Sequence, residues 1–259
     1  MTRFVLHNAP QSTCSQRVRF TLHAKDLDFE EERLDLFSGD QLKPEYLAIN
    51  PNGVVPTLLD NGTPIIDSSV IMEYLDELFP EPVCFTPTDP IGRAHMRAII
   101  QFMNEVPTPA IRVPSYNLAF LPHFQSMSEE EFLALAESKP LRKEFLLTMG
   151  RTGFPQKEMN VAHDRLTRAV ERMDAHLAES GGPWLMGEEL TLADIAVMPV
   201  IVRMDDINLH GAWKDRPAIA RWLERFRAHP AFEPTFYEGT MLTDKYPHLA
   251  SLREARAAE

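Results

Sequence analysis

Hydrophobic and polar positions recur with two different periods along this chain, and the change falls near residue 80. Residues 3–7 form a short apolar run closed by Asn8, Ala9 and Pro10, which predicts a strand entering a loop. Residues 15–25 set Val18, Leu22 and Ala24 among polar neighbours at helical spacing. Residues 29–36 alternate in part and predict a second strand, and 41–49 a short helix. The runs 55–59 and 65–66 flank Asn61-Gly62, a hairpin signal because both central residues tolerate positive φ. Residues 68–79 place Val70, Ile71, Tyr74, Leu75 and Leu78 on one face of a helix. The order strand, helix, strand, helix, hairpin, helix predicts one small mixed sheet with helices on both faces.

Prolines at 80, 82, 87 and 90 exclude a regular helix there and predict a linker. Beyond it strand-like segments nearly vanish. Helical patterns cover roughly 90–106, 128–149, 156–180, 191–208 and 217–228. Pro107, Pro109 and Pro114 predict an irregular stretch between the first two. Thr191-Leu192-Ala193-Asp194 has the form of a capping box, with Leu190 and Ile195 as its hydrophobic staple, and reads as a folding signal. The expected division is 1–80, a linker at 81–90, and an all-helical 91–259, whose tail 253–259 is expected to fray.

Composition narrows the class. The chain has 259 residues, 44% hydrophobic and 25% charged, which suits a soluble globular protein large enough for a sizeable core. Its formal net charge of −12 argues against nucleic acid and anionic membrane as partners, since both demand concentrated positive charge. Arg17 and Arg19 cluster on one helix but make no such footprint. No apolar run is long enough to span a bilayer, and the first residues lack signal-peptide architecture, so the expected compartment is the cytoplasm. Cys14 and Cys84 are too few for a disulfide framework, and the nine scattered histidines offer no metal-ligand spacing.

Three turns hold candidate chemistry. Ser12-Thr13-Cys14-Ser15 falls where the first strand gives way to the first helix. A helix N-terminus presents unpaired N–H groups and partial positive charge, so a thiolate is stabilised there. Hydroxyls in the turn can donate to a bound thiolate; equally, Ser12 or Thr13 caps the helix and Cys14 is a small buried hydrophobe. In Asn50-Pro51-Asn52-Gly53-Val54-Val55-Pro56-Thr57, a cis proline would aim the Val55 backbone outward to pair with an extended peptide; a trans proline on an edge strand is the alternative. Ser68, after Asp67, reads as a helix cap, and that helix start could hold a carboxylate while Asp67 meets an ammonium.

In this order and spacing, the motifs resemble the glutathione transferase superfamily over nearly the whole chain. The stretch from Ser12 to Leu22 resembles the zeta-class signature, with Thr13 for its second serine and Gln16 for its aromatic residue. Met127-Ser128-Glu129-Glu130-Glu131-Phe132 and Gly153-Phe154-Pro155-Gln156 resemble bacterial β-aryl etherases, and residues 173–193 resemble hydroquinone dehalogenases. The resemblance implies a thioredoxin-like α/β N-terminal domain that binds glutathione and an all-α C-terminal domain. It implies that Val55 pairs with the cysteinyl part of the tripeptide and that Pro56 is cis. Asp67 and Ser68 would hold the γ-glutamyl end, Gln41 would lie near the glycyl end, and Thr13 belongs to the same glutathione site. Ser12 would stabilise the glutathione thiolate for attack on a hydrophobic, aromatic electrophile. The etherases lack a cysteine at the position of Cys14. The alternatives are Cys14-dependent reductive deglutathionylation or dehalogenation, zeta-like isomerisation, and a non-catalytic binding module. Met103, Val106, Ile111, Tyr116, Phe120 and Phe124 are candidate walls of the electrophile pocket, with Arg112 and His123 as possible contacts for an anionic group. A homodimer is the family expectation.

Overall fold

The structure, a computed structural model, describes residues 2–257. Its first part runs β1 (Phe4–Asn8), α1 (Thr13–Ala24), β2 (Phe29–Arg33), α2 (Pro44–Leu47), β3 (Thr57–Asp60), β4 (Thr63–Ile66) and α3 (Ser68–Leu78). The strands order as β2-β1-β3-β4, with β1 parallel to β2 and both later pairings antiparallel. Asn61 and Gly62 both take positive φ, 48° and 84°, as the hairpin turn between β3 and β4 requires. Alternate residues of a strand face opposite sides. Phe4 and Leu6 therefore point together into a core with Val18, Leu22, Ile71 and Leu75 from α1 and α3. His7 points the other way and meets the ring of Tyr46 on α2 at 6.0 Å.

No helix or strand forms between Leu78 and Pro90. Pro90, the shared edge of the expected linker and the expected helix 90–106, is the first residue of α4 (Pro90–Glu105), where its missing N–H costs nothing, so the linker ends at residue 89. Then come α5 (Pro107–Ser115), a π-helical segment Tyr116–Phe120, α6 (Leu121–Gln125), α7 (Glu129–Glu137), α8 (Lys143–Met149) and α9 (Gln156–Ser180). They are followed by α10 (Leu192–Asp206), α11 (Pro217–Ala228), α12 (Phe232–Thr235), α13 (Leu242–Lys245) and α14 (Ala250–Ala257). Every residue of α10 is buried, and the largest core forms around it. Of the tail expected to fray, the backbone is helical to Ala257; Ala258 and Glu259 lie outside the described residues.

Three expectations are corrected. The stretch 107–125 is helical, because Pro107 and Pro109 occupy the first turn of α5, whose N–H groups have no intrahelical acceptors. Pro122 deprives the Leu118 carbonyl of an α-helical donor, and His248 Nε2 takes that place at 2.9 Å. The single helix expected over 128–149 is two, because Pro140 disfavours helical backbone at Lys139. Asp67, rather than Ser68, caps α3: its carboxylate accepts from the Ser69 and Val70 N–H groups.

Buried charges tie the two parts together. Arg17 and Arg19 are interior, not a surface cluster. Arg17 donates to Asn104 Oδ1 on α4 at 2.7 Å and Thr108 Oγ1 on α5 at 2.8 Å. Arg19 joins Asn8 and Pro10 of the β1 loop to the carbonyl of Thr235. Lys25 and Asp76 pair at 2.6 Å, and Lys25 also donates to the carbonyls of Phe79 and Val83, fixing the segment that leads to α4.

Candidate functional site

A cleft of about 720 Å³ opens between the sheet-bearing part and the helices. Ser12, Thr13, Cys14, Gln41, Val55, Pro56, Asp67 and Ser68 all line it, although the sequence scatters them over 57 positions. The loop after β1 delivers the first group. Ser12 is the N-cap of α1, and its hydroxyl oxygen accepts from the Ser15 N–H at 3.2 Å. That bond engages the oxygen and leaves the hydroxyl proton free to be donated into the cleft. Thr13 and Cys14 follow as the first two helical residues, whose N–H groups have no acceptors within the helix. Cys14 is partly exposed.

The second group stands at the start of β3. The Val55–Pro56 bond is cis. The Val54 carbonyl is held by the Tyr46 hydroxyl at 2.6 Å and by Asn50 Nδ2 at 2.9 Å. The Val55 N–H and C=O take no partner among the described residues, so an extended backbone can pair with them.

The third group opens α3. Asp67 holds φ +73°, a region an L-residue enters only at a cost on the order of 1–3 kcal/mol. Its Oδ1 accepts both capping N–H groups, which leaves Oδ2 for a cation. Ser68 is buried against Arg17, whose guanidinium lies near both Cys14 and Asp67. The Gln41 side chain is buried, with Nε2 donating to the Leu36 carbonyl and Oε1 left unpartnered, as a group awaiting an N–H donor would be.

The opposite wall is aromatic. Ile111, Tyr116, Phe120 and Phe124 line the cleft, as expected, and Phe37 joins them with its ring 5.2 Å from Phe120. Met103 does not line it; it is buried in the helical core. Val106 is absent from the lining, and His123 packs against Phe37 at 4.5 Å outside it. Arg112 lines the cleft, and sequence reasoning missed Lys139, Arg142, Arg203 and Tyr246. Lys139 and Arg142 come from the Pro140 break, read as the inside of one helix. Pro140 itself was the signal that could have exposed them.

Burial pushes the Lys139 ammonium down to about 8. An unfolded chain keeps that proton to about 10.4. Between those values the unfolded state binds more protons, so stability rises with pH across that window, and the cost is fully present below pH 8. Lys139→Met is therefore expected to melt higher than wild type at pH 7, with the gap closing toward pH 10. Thermal melts at constant ionic strength check this; a gap independent of pH would contradict it.

Comparison with known proteins adds to this geometry. A family model described as glutathione S-transferase, N-terminal domain, matches residues 11–78, and one described as glutathione S-transferase, C-terminal domain, matches 139–225. The chain is 30% identical to a probable maleylacetoacetate isomerase of Caenorhabditis elegans over 228 residues, covering 88% of this chain and 90% of that one. It is 28% identical to Protein LigF of Sphingobium over 227 residues, covering 83% and 86%. The crystal structure of the β-etherase LigF from the same genus superposes with a TM-score of 0.80 at 27% identity, over 90% of this chain and 98% of that one.

Proposed function

The chain belongs to the glutathione S-transferase family, and from that premise we propose that its cleft uses a Ser12-stabilised glutathione thiolate against an aromatic electrophile. It is a glutathione transferase with glutathione as co-substrate. The proposal lies in the roles of the residues and the class of electrophile. One observation carries it: the Ser12 hydroxyl, the unpaired Val55 backbone and the free Asp67 oxygen line one cleft, at the thiol, middle and amino end of an extended tripeptide.

On this reading residues 1–80 hold glutathione, the segment 81–89 links, and the helical part from Pro90 onward carries the electrophile. Val55 pairs with the cysteinyl unit beside Pro56. Asp67 Oδ2 takes the γ-glutamyl ammonium, and Ser68 with the first N–H groups of α3 takes its carboxylate, above the buried charge of Arg17. Gln41 serves the glycyl end. Thr13 and Cys14 turn their N–H groups toward the sulfur, and Ser12 donates its proton to it. The thiolate then attacks the electrophile; a sulfur–carbon bond forms, and the leaving group departs with its electron pair, as in aryl halide conjugation or β-aryl ether thiolysis. Tyr116, Phe120 and Phe124 exclude water and stack on the ring. That LigF is a β-etherase and another relative a probable maleylacetoacetate isomerase supports an ether or an unsaturated compound as the electrophile.

The exposure of Cys14 in the cleft favours one second reading. Its thiolate would attack the sulfur of a glutathionyl thioether. The carbon leaves as a carbanion that takes a proton, and a second glutathione releases the resulting mixed disulfide as glutathione disulfide. A panel of a chloronitrobenzene, a β-aryl ether and a glutathionyl ketone separates the two in wild type, Ser12→Ala and Cys14→Ala. The account expects Cys14→Ala to abolish at most the ketone reduction and to keep the other activities within a few-fold. Full activity in both variants would remove both residues from the chemistry.

A homodimer and a cytoplasmic location belong to the same proposal. Exposed Val70 on α3 and Ile91 on α4 put apolar surface on each part of the chain, which supports the first. Among the described residues no helix is long and apolar enough to cross a membrane.

A further inference from the structure

We propose that Arg112 and Arg142 form a carboxylate clamp in the electrophile half of the cleft, so that the substrate is an aromatic electrophile bearing a carboxylate. The inference rests on the transferase reading above and specifies its substrate. Arg112 lies on α5, one turn before Tyr116, and Arg142 is the N-cap residue just before α8. Both line the cleft. Arg142 and Cys14 line the same cleft and lie within electrostatic reach of one another, so Arg142 stands on the side of the reacting sulfur. Arg112 is similarly close to the buried Arg17, and each of the two arginines acts on the Tyr116 hydroxyl.

Neither arginine has a counter-charge. The Arg112 guanidinium makes no hydrogen bond or ion pair among the described residues, and that of Arg142 donates only to the carbonyl of its neighbour Leu141, at 2.9 Å. Asp35 and Asp67 also line the cleft, yet no ion pair joins either to these arginines. Asp67 caps α3 with Oδ1, and its Oδ2 is the oxygen assigned above to the γ-glutamyl ammonium. The two guanidiniums instead repel one another, and Lys139 adds a third unpaired cation to the same wall. Three further cations line the cleft: Arg33 is paired with Glu31, Arg203 lies near Asp206 and donates to the Gln11 carbonyl, and Lys245 is the last residue of α13.

In a chain of net charge −12, partly buried like charges without a partner are costly unless a ligand supplies the anion. A guanidinium is the group that meets a planar carboxylate with two parallel N–H donors. The aromatic side chains beside it hold a ring, not a phosphate, so the anion is a carboxylate carried on that ring. Glutathione's own carboxylates have places on the other wall, at the head of α3 and near Gln41.

Calorimetric titration with two matched conjugates tests this: S-benzylglutathione and S-(4-carboxybenzyl)glutathione, with glutathione itself as control. A charge-assisted pair is worth about 1.5–3 kcal/mol, or tenfold and more in affinity. The carboxylated conjugate is expected to bind wild type at least about tenfold tighter than its parent. The double variant Arg112→Gln, Arg142→Gln should lose that preference and keep the affinities for glutathione and S-benzylglutathione. Equal affinities in wild type would overturn the clamp, whatever the variant does. A preference that survives in the variant would also overturn it. Equal loss of all three ligands in a variant that still melts cooperatively would assign the arginines to glutathione's carboxylates and overturn it too. If wild type binds none of the three, the transferase reading of the cleft fails first.

Discussion

Replacing Ser12 with alanine is expected to lower kcat/KM for conjugation of an uncharged chloronitrobenzene about a hundredfold, the usual cost of one preorganised donor to a developing or resident anion. The hydroxyl has two jobs that differ in their signatures. As the cap of α1 it accepts from Ser15 N–H, and losing that bond costs about 1 kcal/mol of stability. As a donor to sulfur it lowers the proton affinity of the glutathione thiol. Raising the pH repairs the second loss and not the first. The variant should therefore recover much of its rate above the pH where free thiols ionise, about 8.5, while its melting temperature stays low. Ser12→Thr keeps both functions and should retain most of the activity. A Ser12→Ala variant as fast as wild type at neutral pH would transfer the role elsewhere, with Cys14 and the N–H groups of Thr13 and Cys14 as the remaining donors.

Asp194→Ala is expected to cost more stability than any single change in the cleft, on the order of 3–5 kcal/mol. Asp194 is fully buried. One of its oxygens accepts from the Leu185 N–H at 2.8 Å and the Trp222 indole at 2.9 Å. The other accepts from the N–H of Thr191 at 3.2 Å and from its hydroxyl at 2.9 Å. Alanine would strand these donors in the interior, each at about 1–3 kcal/mol. It would also remove the Asp194 half of the capping box that opens α10 at Thr191, the helix around which the largest core forms. Trp222→Phe removes one donor and keeps the ring, so it should cost far less. Chemical denaturation measures both; the account would fail on a loss below about 1 kcal/mol for Asp194→Ala.

The same residue shows how far the sequence could be read. The box Thr191–Asp194 was visible because its four positions are adjacent, and it was rightly read as folding rather than chemistry. The bond to Trp222 was not visible, because only packing brings α10 and α11 together. The same limit governs the cleft. Ser12, Val55 and Asp67 could be found because each sits at a turn with its own local grammar: a cap, an X-Pro step, a helix start. Asp67 was misread in detail, because a positive φ at an aspartate is not written in the residues around it. Arg142 and Lys139 carry no such local sign. They enter the cleft only because Pro140 breaks a helical pattern whose periodicity runs through it. Proline acts in both directions here: Pro107 and Pro109 begin a helix, while Pro140 separates two.

The most direct test of the account is the ionisation of glutathione in the cleft. Thiolate absorbance in the ultraviolet is titrated against pH as the difference between protein with and without glutathione, in a Cys14→Ala background so that this residue's own thiol does not contribute. Bound glutathione is expected to ionise at least one pH unit below its free value, with Ser12→Ala returning it most of the way. Ionisation of bound glutathione at its free value, or a lowered value left unchanged by Ser12→Ala, would contradict the assignment of Ser12 as the group that holds the thiolate.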